Sequence, residues 1–309
     1  MAKKNRKKDE ALPEGMSRRQ AKLAARAAER AALEKDPRPY AGLACEADLV
    51  ALQEFVPSAT AVLPLIDASR EIHVATVLPG ASAAFVRDAQ YGGGAYVGLQ
   101  CAQHSQNPGR DLAYALSWVA TAEPGTTLDS TVNDGTQPAL STLIDPAGTL
   151  DIEVHDNFDW WAPKGATLPL DAQQAVARAN ESIVPARHVT ADIPGSAWWT
   201  YPGGNKAYIR WVRADDNESA LLAALARIAA RGDLHLGPDT KFAGVFRTHG
   251  LIVPVFDLLE PAAKEFDGYN DELVRVNGFI SEELANDAQL SADERKQLEN
   301  IKSRQVTIR

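Results

Sequence analysis

Residues 207–213, with the sequence AYIRWVR, follow the period of two that is typical of a β-strand. Leu221, Leu225 and Ile228 come next, at the i, i+4 and i+7 positions of one helix face. A second strand with the same alternation occupies Ala95–Gln100. The helix predicted after it carries apolar residues at Leu112, Leu116 and Val119. Such strand–helix pairs predict an α+β fold, in which helices pack on mainly antiparallel sheets.

The two strand–helix pairs belong to a longer self-similarity. Each copy predicts the element order α-β-β-α-β, and we expect residues 45–163 and 173–261 to superpose about a pseudo-twofold axis. The residue pairs that test this duplication most simply are His73 with His188, Tyr96 with Tyr208, and Asp159 with Asp257.

The chain divides into four predicted regions. Residues 1–40 are predicted to form a basic arm, in which the first dozen or so residues are disordered and a capping box at Ser17–Gln20 then opens a helix. Residues 41–165 and 166–262 are predicted to form the two α+β repeats. Residues 263–309 form a C-terminal helical extension, in which a second capping box at Ser291–Glu294 opens a helix that runs to about Arg304.

The charge of the chain is distributed unevenly. The net charge is −9, but residues 1–35 hold 11 Lys and Arg against 5 Asp and Glu, a balance of +6 that leaves −15 for the remainder. Such an arm either contacts a polyanion such as RNA or the ribosome, or stays solvated or folds onto its own acidic body. The cations expected at a polyanion contact are Lys3, Lys4, Arg6, Lys7, Lys8, Arg18 and Arg19.

Composition excludes several classes of protein. No apolar run approaches the roughly 18 residues of a membrane helix, and the charged N-terminus lacks the apolar core of a secretion signal. The two cysteines, Cys45 and Cys101, are too few for a disulfide scaffold or a cysteine zinc cluster. We therefore expect a cytoplasmic protein with reduced thiols, no membrane contact, no metal and no cofactor.

The glycine clusters at 92–94 and 203–204 resemble phosphate-binding loops only superficially. A phosphate loop precedes a helix whose N-terminal N–H groups bind the anion, whereas a predicted strand follows each of these clusters. Both clusters are therefore expected to be turns or bulges in which glycine adopts a positive φ.

Five residues are the candidates for catalysis. His73 and His188 occupy matching positions, so a pseudo-twofold axis would bring them together to bind a metal or share a proton, or both simply record a common ancestor. His155 and Asp156 end the last predicted strand of the first copy, and Asp159 follows them, without the additional ligands that a metal hydrolase requires.

Two tryptophan pairs are the candidates for a partner-binding surface. Trp160 and Trp161 lie in the acidic segment 151–161, and Trp198 and Trp199 lie in the second copy. Tryptophan is common in protein interfaces, but one member of each pair can equally enter the core.

Five motifs carry a resemblance to a known family, and they occupy residues 45–52, 56–61, 154–159, 246–251 and 253–257. With these motifs the chain resembles an uncharacterised actinobacterial family, the domain-of-unknown-function family 5926. The resemblance covers nearly the whole chain and implies a bacterial cytoplasmic protein, with no established activity to transfer.

Two functions remain open from the sequence. The first is a non-enzymatic binding or adaptor protein whose acidic body holds a protein partner while the basic arm contacts RNA, the ribosome or that partner. The alternative is an enzyme of the hydrolase type with its site at the interface between the two repeats, in which case the five catalytic candidates should converge in one pocket.

Overall fold

The computed structural model describes residues 35–133, 135–162, 168–259 and 268–304, together with positions 19–20, 22–23, 26, 165, 266 and 306–307. The N-terminal half of the chain contains α1 (Glu46–Glu54), β1 (Ala59–Val62), β2 (Ile72–Ala75), β3 (Ala84–Val86), β4 (Ala95–Gly98), α2 (Pro108–Val119), β5 (Thr127–Leu128) and β6 (Ile152–Val154). The C-terminal half contains α3 (Leu170–Glu181), β7 (Ala186–Val189), β8 (Ser196–Thr200), β9 (Lys206–Val212), α4 (Glu218–Ala230), β10 (Thr240–Thr248), β11 (Leu251–Leu259), α5 (Asn270–Leu284), α6 (Ala292–Ser303) and β12 (Val306–Thr307).

The strands form one sheet in each half. Sheet 1 has the order β5-β3-β4-β2-β1-β6, and sheet 2 has the order β12-β10-β11-β9-β8-β7. Among the described strands, β2 pairs with β4 and β10 pairs with β12 in parallel, and all other neighbours are antiparallel. The predicted α+β class with mainly antiparallel sheets is confirmed. None of the described helices combines the length and the apolar composition needed to cross a bilayer.

The predicted duplication is not confirmed, because the matched strands pair differently. β2 and β4, which carry His73 and Tyr96, are parallel neighbours in sheet 1. The matched strands β7 and β9, which carry His188 and Tyr208, are separated by β8 in sheet 2. Each half also holds strands that the order α-β-β-α-β lacks. Similar local patterns therefore produce similar elements, whereas strand pairing depends on long-range packing that a short pattern does not encode.

The individual helices and turns follow the local signals. The Ser291 hydroxyl accepts a hydrogen bond from the backbone N–H of Glu294 at 3.3 Å, and the Glu294 carboxylate accepts one from the backbone N–H of Ser291 at 2.7 Å. The predicted capping box therefore opens α6. Both glycine clusters adopt positive φ angles, as expected for turns. The predicted capping box at Ser17 lies outside the described residues.

Sheet 2 is covered on both faces. Trp198 on β8 is buried in one core together with Leu49 and Leu52 of α1. Trp199, the next residue along β8, is buried in a second core with residues of α4, α5 and α6, such as Leu225. Because neighbouring side chains of a strand point to opposite faces, β8 links the two cores. The two halves therefore share a core across the predicted boundary at residues 165 and 166.

One face of sheet 1 is covered by α1 and α2. Val74 of β2 and Val97 of β4 are buried in the first core, which also contains Leu116 of α2. Residues on the opposite face of the same strands, such as His73 and Tyr96, are only partly buried. This half-exposed side of sheet 1 is called the open face below.

Polar contacts hold the two halves together beside this core. The Arg38 guanidinium donates to both carboxylate oxygens of Glu46 at 2.7 and 2.8 Å, and to Asp216 at 3.1 Å. His249, at the tip of the β10–β11 hairpin, lies 2.7 Å from the Glu54 carboxylate. Gly250 completes this two-residue turn with a φ of +76°, and a Cβ at this position would lie 2.5 Å from the carbonyl oxygen of Pro37.

Replacing Gly250 with alanine should destabilise the protein by about 3 kcal/mol, because it combines a strained left-handed backbone with a steric clash against Pro37. The matched control is Gly203→Ala, which has a similar φ of +95° but open space around the new Cβ, and it should cost about 1 kcal/mol. Urea denaturation of the two variants measures the difference, and equal losses would contradict the close packing at Pro37.

Candidate binding surface on the open face of sheet 1

Four side chains from four neighbouring strands form a row across the open face. Phe85 on β3 pairs with Tyr96 on β4, Tyr96 pairs with His73 on β2, and His73 pairs with Val62 on β1. Directly paired residues point to the same side of a sheet, so the row follows from the strand order. The Tyr96 ring stacks on Phe85 at 4.9 Å and on His73 at 5.0 Å between centroids. Val62 ends the row with 45% of its surface exposed.

Trp160 extends this apolar surface beyond the row. Its ring centroid lies 6.2 Å from that of Tyr96, and its indole N–H donates to the hydroxyl of Ser58 at 2.9 Å. The indole N–H of the adjacent Trp161 donates to the carbonyl of Val77 at 3.1 Å. Both tryptophans are therefore anchored at their polar ends and partly exposed.

Arg87 places a cation on the open face. Its guanidinium carbon lies 5.0 Å from the centre of the Tyr96 ring and 5.6 Å from the centre of the Phe85 ring. The same guanidinium donates to the backbone carbonyl of Trp160 at 3.1 Å. Arg87 thus ties the row to the tryptophan segment through cation–π contacts and a hydrogen bond.

His155 occupies the other side of Trp160. The two rings stack at 5.4 Å, and the His155 Nε2 atom lies 2.9 Å from the Thr60 hydroxyl. Burial lowers the pKa of His155, and the nearby carboxylates of Glu153 and Asp156 only partly oppose this effect. The imidazole is therefore held in its neutral form more strongly than a solvated histidine.

Exposed carboxylates surround the aromatic side chains. Glu71 is 66% exposed and lies 3.1 Å from the His73 Nε2 atom. Glu153 is 79% exposed, and its pairing with Thr60 places it on the same face as Val62. Asp156 at the end of β6 forms an ion pair with Arg187 at 2.9 Å. The rim of the open face thus carries exposed negative charge at Glu71 and Glu153, whereas the charge of Asp156 is paired with that of Arg187.

The five catalytic candidates do not form one cluster. His73 and His155 share the open face, where Tyr96 and Trp160 lie between them. Asp156 is paired with Arg187, and Asp159 accepts a hydrogen bond from the side chain of Asn180 at 2.9 Å. His188 lies elsewhere, on sheet 2, where it stacks on the buried Trp198 at 4.7 Å.

His188 belongs to a buried polar group that includes an acid and a hydroxyl. Burial raises the pKa of Asp48 and lowers that of His188, and Asp48 accepts a hydrogen bond from Ser196. The Ser196 hydroxyl in turn accepts one from the indole N–H of Trp198 at 2.9 Å. Ser196 is only 1% exposed, so a substrate cannot reach this hydroxyl. The group links α1 to sheet 2.

The two tryptophan pairs lie in different environments. Trp198 and Trp199 lie inside the two cores, and this burial removes them from any partner surface. Trp160 and Trp161 lie on the open face. Of the predicted polyanion-binding cations, Arg19 is helical and exposed, whereas Lys3, Lys4, Arg6, Lys7, Lys8 and Arg18 lie outside the described residues.

The cysteines and potential metal ligands add no reactive group. Burial raises the pKa of Cys45 and of Cys101 to about 11, so both thiols are protonated and weakly nucleophilic near neutral pH. Within the described ranges, no three His, Cys, Asp or Glu side chains are grouped so that they could hold a metal ion.

Phe85, Arg87 and Val62 are not among the functional residues that the sequence predicts. Tyr96 carries a usable signal, since the alternation of its strand places it opposite the buried Ala95 and Val97. The other members are recognisable only once the order β3-β4-β2-β1 is known, because that order brings distant segments into one row.

Residues 39–309 match the model of the family of unknown function DUF5926, and the chain therefore belongs to this family, as its motifs indicated. No curated protein and no solved structure matches the chain. The motif at 246–251 lies at the junction of the two halves, where His249 contacts Glu54, two residues beyond the motif at 45–52. The motif at 154–159 leads onto the open face.

Replacing His155 with glutamine should make the stability of the protein less sensitive to acid. An unfolded chain protonates this histidine near its ordinary pKa of 6.5, whereas burial lowers that pKa in the folded protein. As the pH falls below 6.5, the unfolded state therefore binds a proton at this histidine before the folded state does. The stability of the wild-type protein then decreases relative to that of the variant, whereas above pH 6.5 the difference in stability between the two proteins is constant.

Urea denaturation across this pH range measures the effect. Glutamine keeps a polar group for Thr60 but does not titrate. The free energy of unfolding is plotted against pH for His155→Gln and for the wild type. Two curves that stay parallel through pH 6.5 would show that burial does not lower the pKa of the imidazole.

Proposed function

We propose that this member of the DUF5926 family is a non-enzymatic binding protein, an adaptor whose open face holds a basic segment of a protein partner. The row of Phe85, Tyr96, His73 and Val62 is the observation that carries the proposal. Aromatic and aliphatic side chains that stand together on a half-exposed sheet are typical of protein interfaces.

Charge favours a basic partner. The exposed acids Glu71 and Glu153 flank the row, and the chain outside its first 35 residues carries −15. A polyanion such as RNA would be repelled by this rim, whereas lysine and arginine side chains would be attracted to it.

The contacts of Arg87 illustrate how a cation can be held on this face. Its guanidinium lies over the rings of Tyr96 and Phe85 while it donates to a backbone carbonyl. A partner arginine or lysine can use the exposed edges of the same surface, with its apolar stem packed near Val62 and its charge directed to the carboxylates.

The hydrolase alternative has less support. It requires the five catalytic candidates in one accessible pocket, but His188 lies on sheet 2 against Trp198, away from His73 and His155. The hydroxyl nearest to an acid–histidine pair, that of Ser196, is enclosed in the protein.

The basic arm forms a separate part of the proposal. Its charge of +6 is opposite to that of the body, and its described helical positions, including Arg19 and Leu23, are exposed. We assign to the arm a salt-sensitive contact with RNA or the ribosome, while the open face holds the protein partner in the cytoplasm.

Val62→Arg should abolish binding of a labelled lysine- and arginine-rich peptide, because it places a cation at the end of the row. The matched control is Val274→Arg on α5, which makes the same charge change at a valine with 44% exposure, compared with 45% for Val62. Fluorescence anisotropy measures the affinity of each variant, and the unfolding temperature checks the fold.

Two further samples separate the face from the arm. A matched peptide with glutamate in place of its cations should not bind, and deletion of residues 1–35 should remove salt-sensitive binding of RNA or ribosomes without changing peptide affinity. Equal peptide affinity of the Val62→Arg and Val274→Arg variants would overturn the assignment of the open face. RNA binding that depends on Val62 would favour a nucleic-acid surface instead.

A further inference from the structure

Arg210 on β9 lies on the same side of sheet 2 as the buried Trp198. The two residues are direct partners in the β8–β9 ladder, and Arg210 also pairs with Val255 of β11. α1 packs on this side of the sheet through residues such as Leu52, and Phe55 occupies the cap position at its C-terminal end. Arg210 therefore lies at the margin of the first core, beside the end of α1, and it is only partly buried.

Aromatic rings frame the Arg210 guanidinium. Its central carbon lies 5.5 Å from the centre of the Phe55 ring and 5.3 Å from the centre of the Tyr208 ring. Phe246 of β10 packs edge-to-face against Phe55, at 6.3 Å between ring centres. All three rings are partly exposed. Cation–π contacts thus hold the guanidinium in an apolar setting without neutralising its charge.

The charge of Arg210 has no counter-charge among the described residues. No carboxylate of the described chain forms an ion pair with it, whereas the buried Arg213 on the same segment pairs with Asp215 at 2.7 Å. Burial lowers the pKa of Arg210, and the nearby Tyr208 only partly opposes this effect. Arginine keeps its proton near neutral pH, so the side chain remains a partly desolvated cation. A carboxylate within hydrogen-bonding distance would compensate this charge.

Arg210 also has donors that are not used within the described chain. Its Nη1 atom donates to the Thr200 hydroxyl at 2.6 Å, whereas Nε and Nη2 have no acceptor among the described residues and neither is fully enclosed. Asp257 lies on the same side of the sheet, but its carboxylate is paired with Lys206 at 3.3 Å. Nε and one Nη of a guanidinium form the planar pair of donors that matches the two oxygens of a carboxylate.

We propose that this part of sheet 2 is a docking site for a protein partner and that Arg210 receives an aspartate or glutamate side chain of that partner. The carboxylate occupies Nε and Nη2, and apolar side chains next to it pack on Phe55 and Tyr208. Arginine and tyrosine that are surrounded by apolar groups are the residues that dominate the binding energy of many interfaces.

The charge of the body favours a single carboxylate over a nucleic acid. The chain outside its first 35 residues carries −15, which repels a long polyanion far more than one acidic side chain. The acidic partner segment also differs from the basic one that we assign to the open face. The site on sheet 2 therefore goes beyond the proposed function and does not depend on it.

Fluorescence anisotropy of the full chain with a labelled peptide of alternating leucine and glutamate tests the proposal. The wild type should bind the peptide saturably, and Arg210→Gln should weaken binding about tenfold, as expected for the loss of charge-assisted hydrogen bonds. Arg210→Lys keeps the charge but loses the planar pair of donors, so its affinity should lie between these two. The matched control is Arg70→Gln, which removes the same charge from another partly buried arginine and should bind as the wild type does.

The basic arm is present in every sample, so its own attraction for the peptide is the same in all of them. A matched peptide with glutamine in place of glutamate should bind wild type and Arg210→Gln equally weakly, and so should an oligouridine bind both equally. The unfolding temperature checks the fold, and Arg210→Lys carries the comparison if the glutamine variant does not fold. The proposal is overturned if the wild type does not bind the glutamate peptide, or if neither substitution at Arg210 weakens that binding. A loss of oligouridine binding in Arg210→Gln would also overturn it, in favour of a nucleic-acid surface.

Discussion

The burial of Trp198 and Trp199 on opposite faces of β8 determines how the rest of the chain is arranged. A strand that presents an indole on each side needs a covering layer on both faces. An indole ring left in water would lose the favourable free energy of burying its large apolar surface. α4, α5 and α6 cover the side of Trp199. α1 covers the side of Trp198 and adds polar contacts from Asp48 to Ser196 and from Glu54 to His249.

Among the described helices, α1 and α2 cover one face of sheet 1, and α1 also covers Trp198 of sheet 2. α1 and α2 pack on the side of Val74 and Val97, and the opposite side keeps the row of Phe85, Tyr96, His73 and Val62 partly exposed. The segment that carries Trp160 crosses this side without covering it, since its hydrogen bonds to Ser58 and Arg87 fix it at the margin. The open face is therefore a consequence of the packing of sheet 2.

Local sequence signals predict the elements of this fold but not their pairing. The spacing of Leu221, Leu225 and Ile228 locates α4, and the pattern at Ser291 locates the start of α6. The likeness of His73 to His188 is misleading about topology, because a strand of this length pairs according to the surface that it can bury. The tryptophan pairs illustrate the same limit. Strand alternation predicts that Trp198 and Trp199 point to opposite faces of β8. It does not predict that both faces are buried, which removes both side chains from the surface. The row on the open face is not predictable without the strand order, since its four members come from four separate segments.

We propose that the open face contacts a protein partner through basic residues of that partner. Photo-crosslinking in living cells tests this contact most directly, with p-benzoylphenylalanine placed at Val62 in one sample and at the equally exposed Val274 in the other. The account predicts a crosslink from position 62 to a lysine- and arginine-rich segment of another protein, and none from position 274. Crosslinks of equal yield from both positions, or from position 62 to nucleic acid, would contradict it.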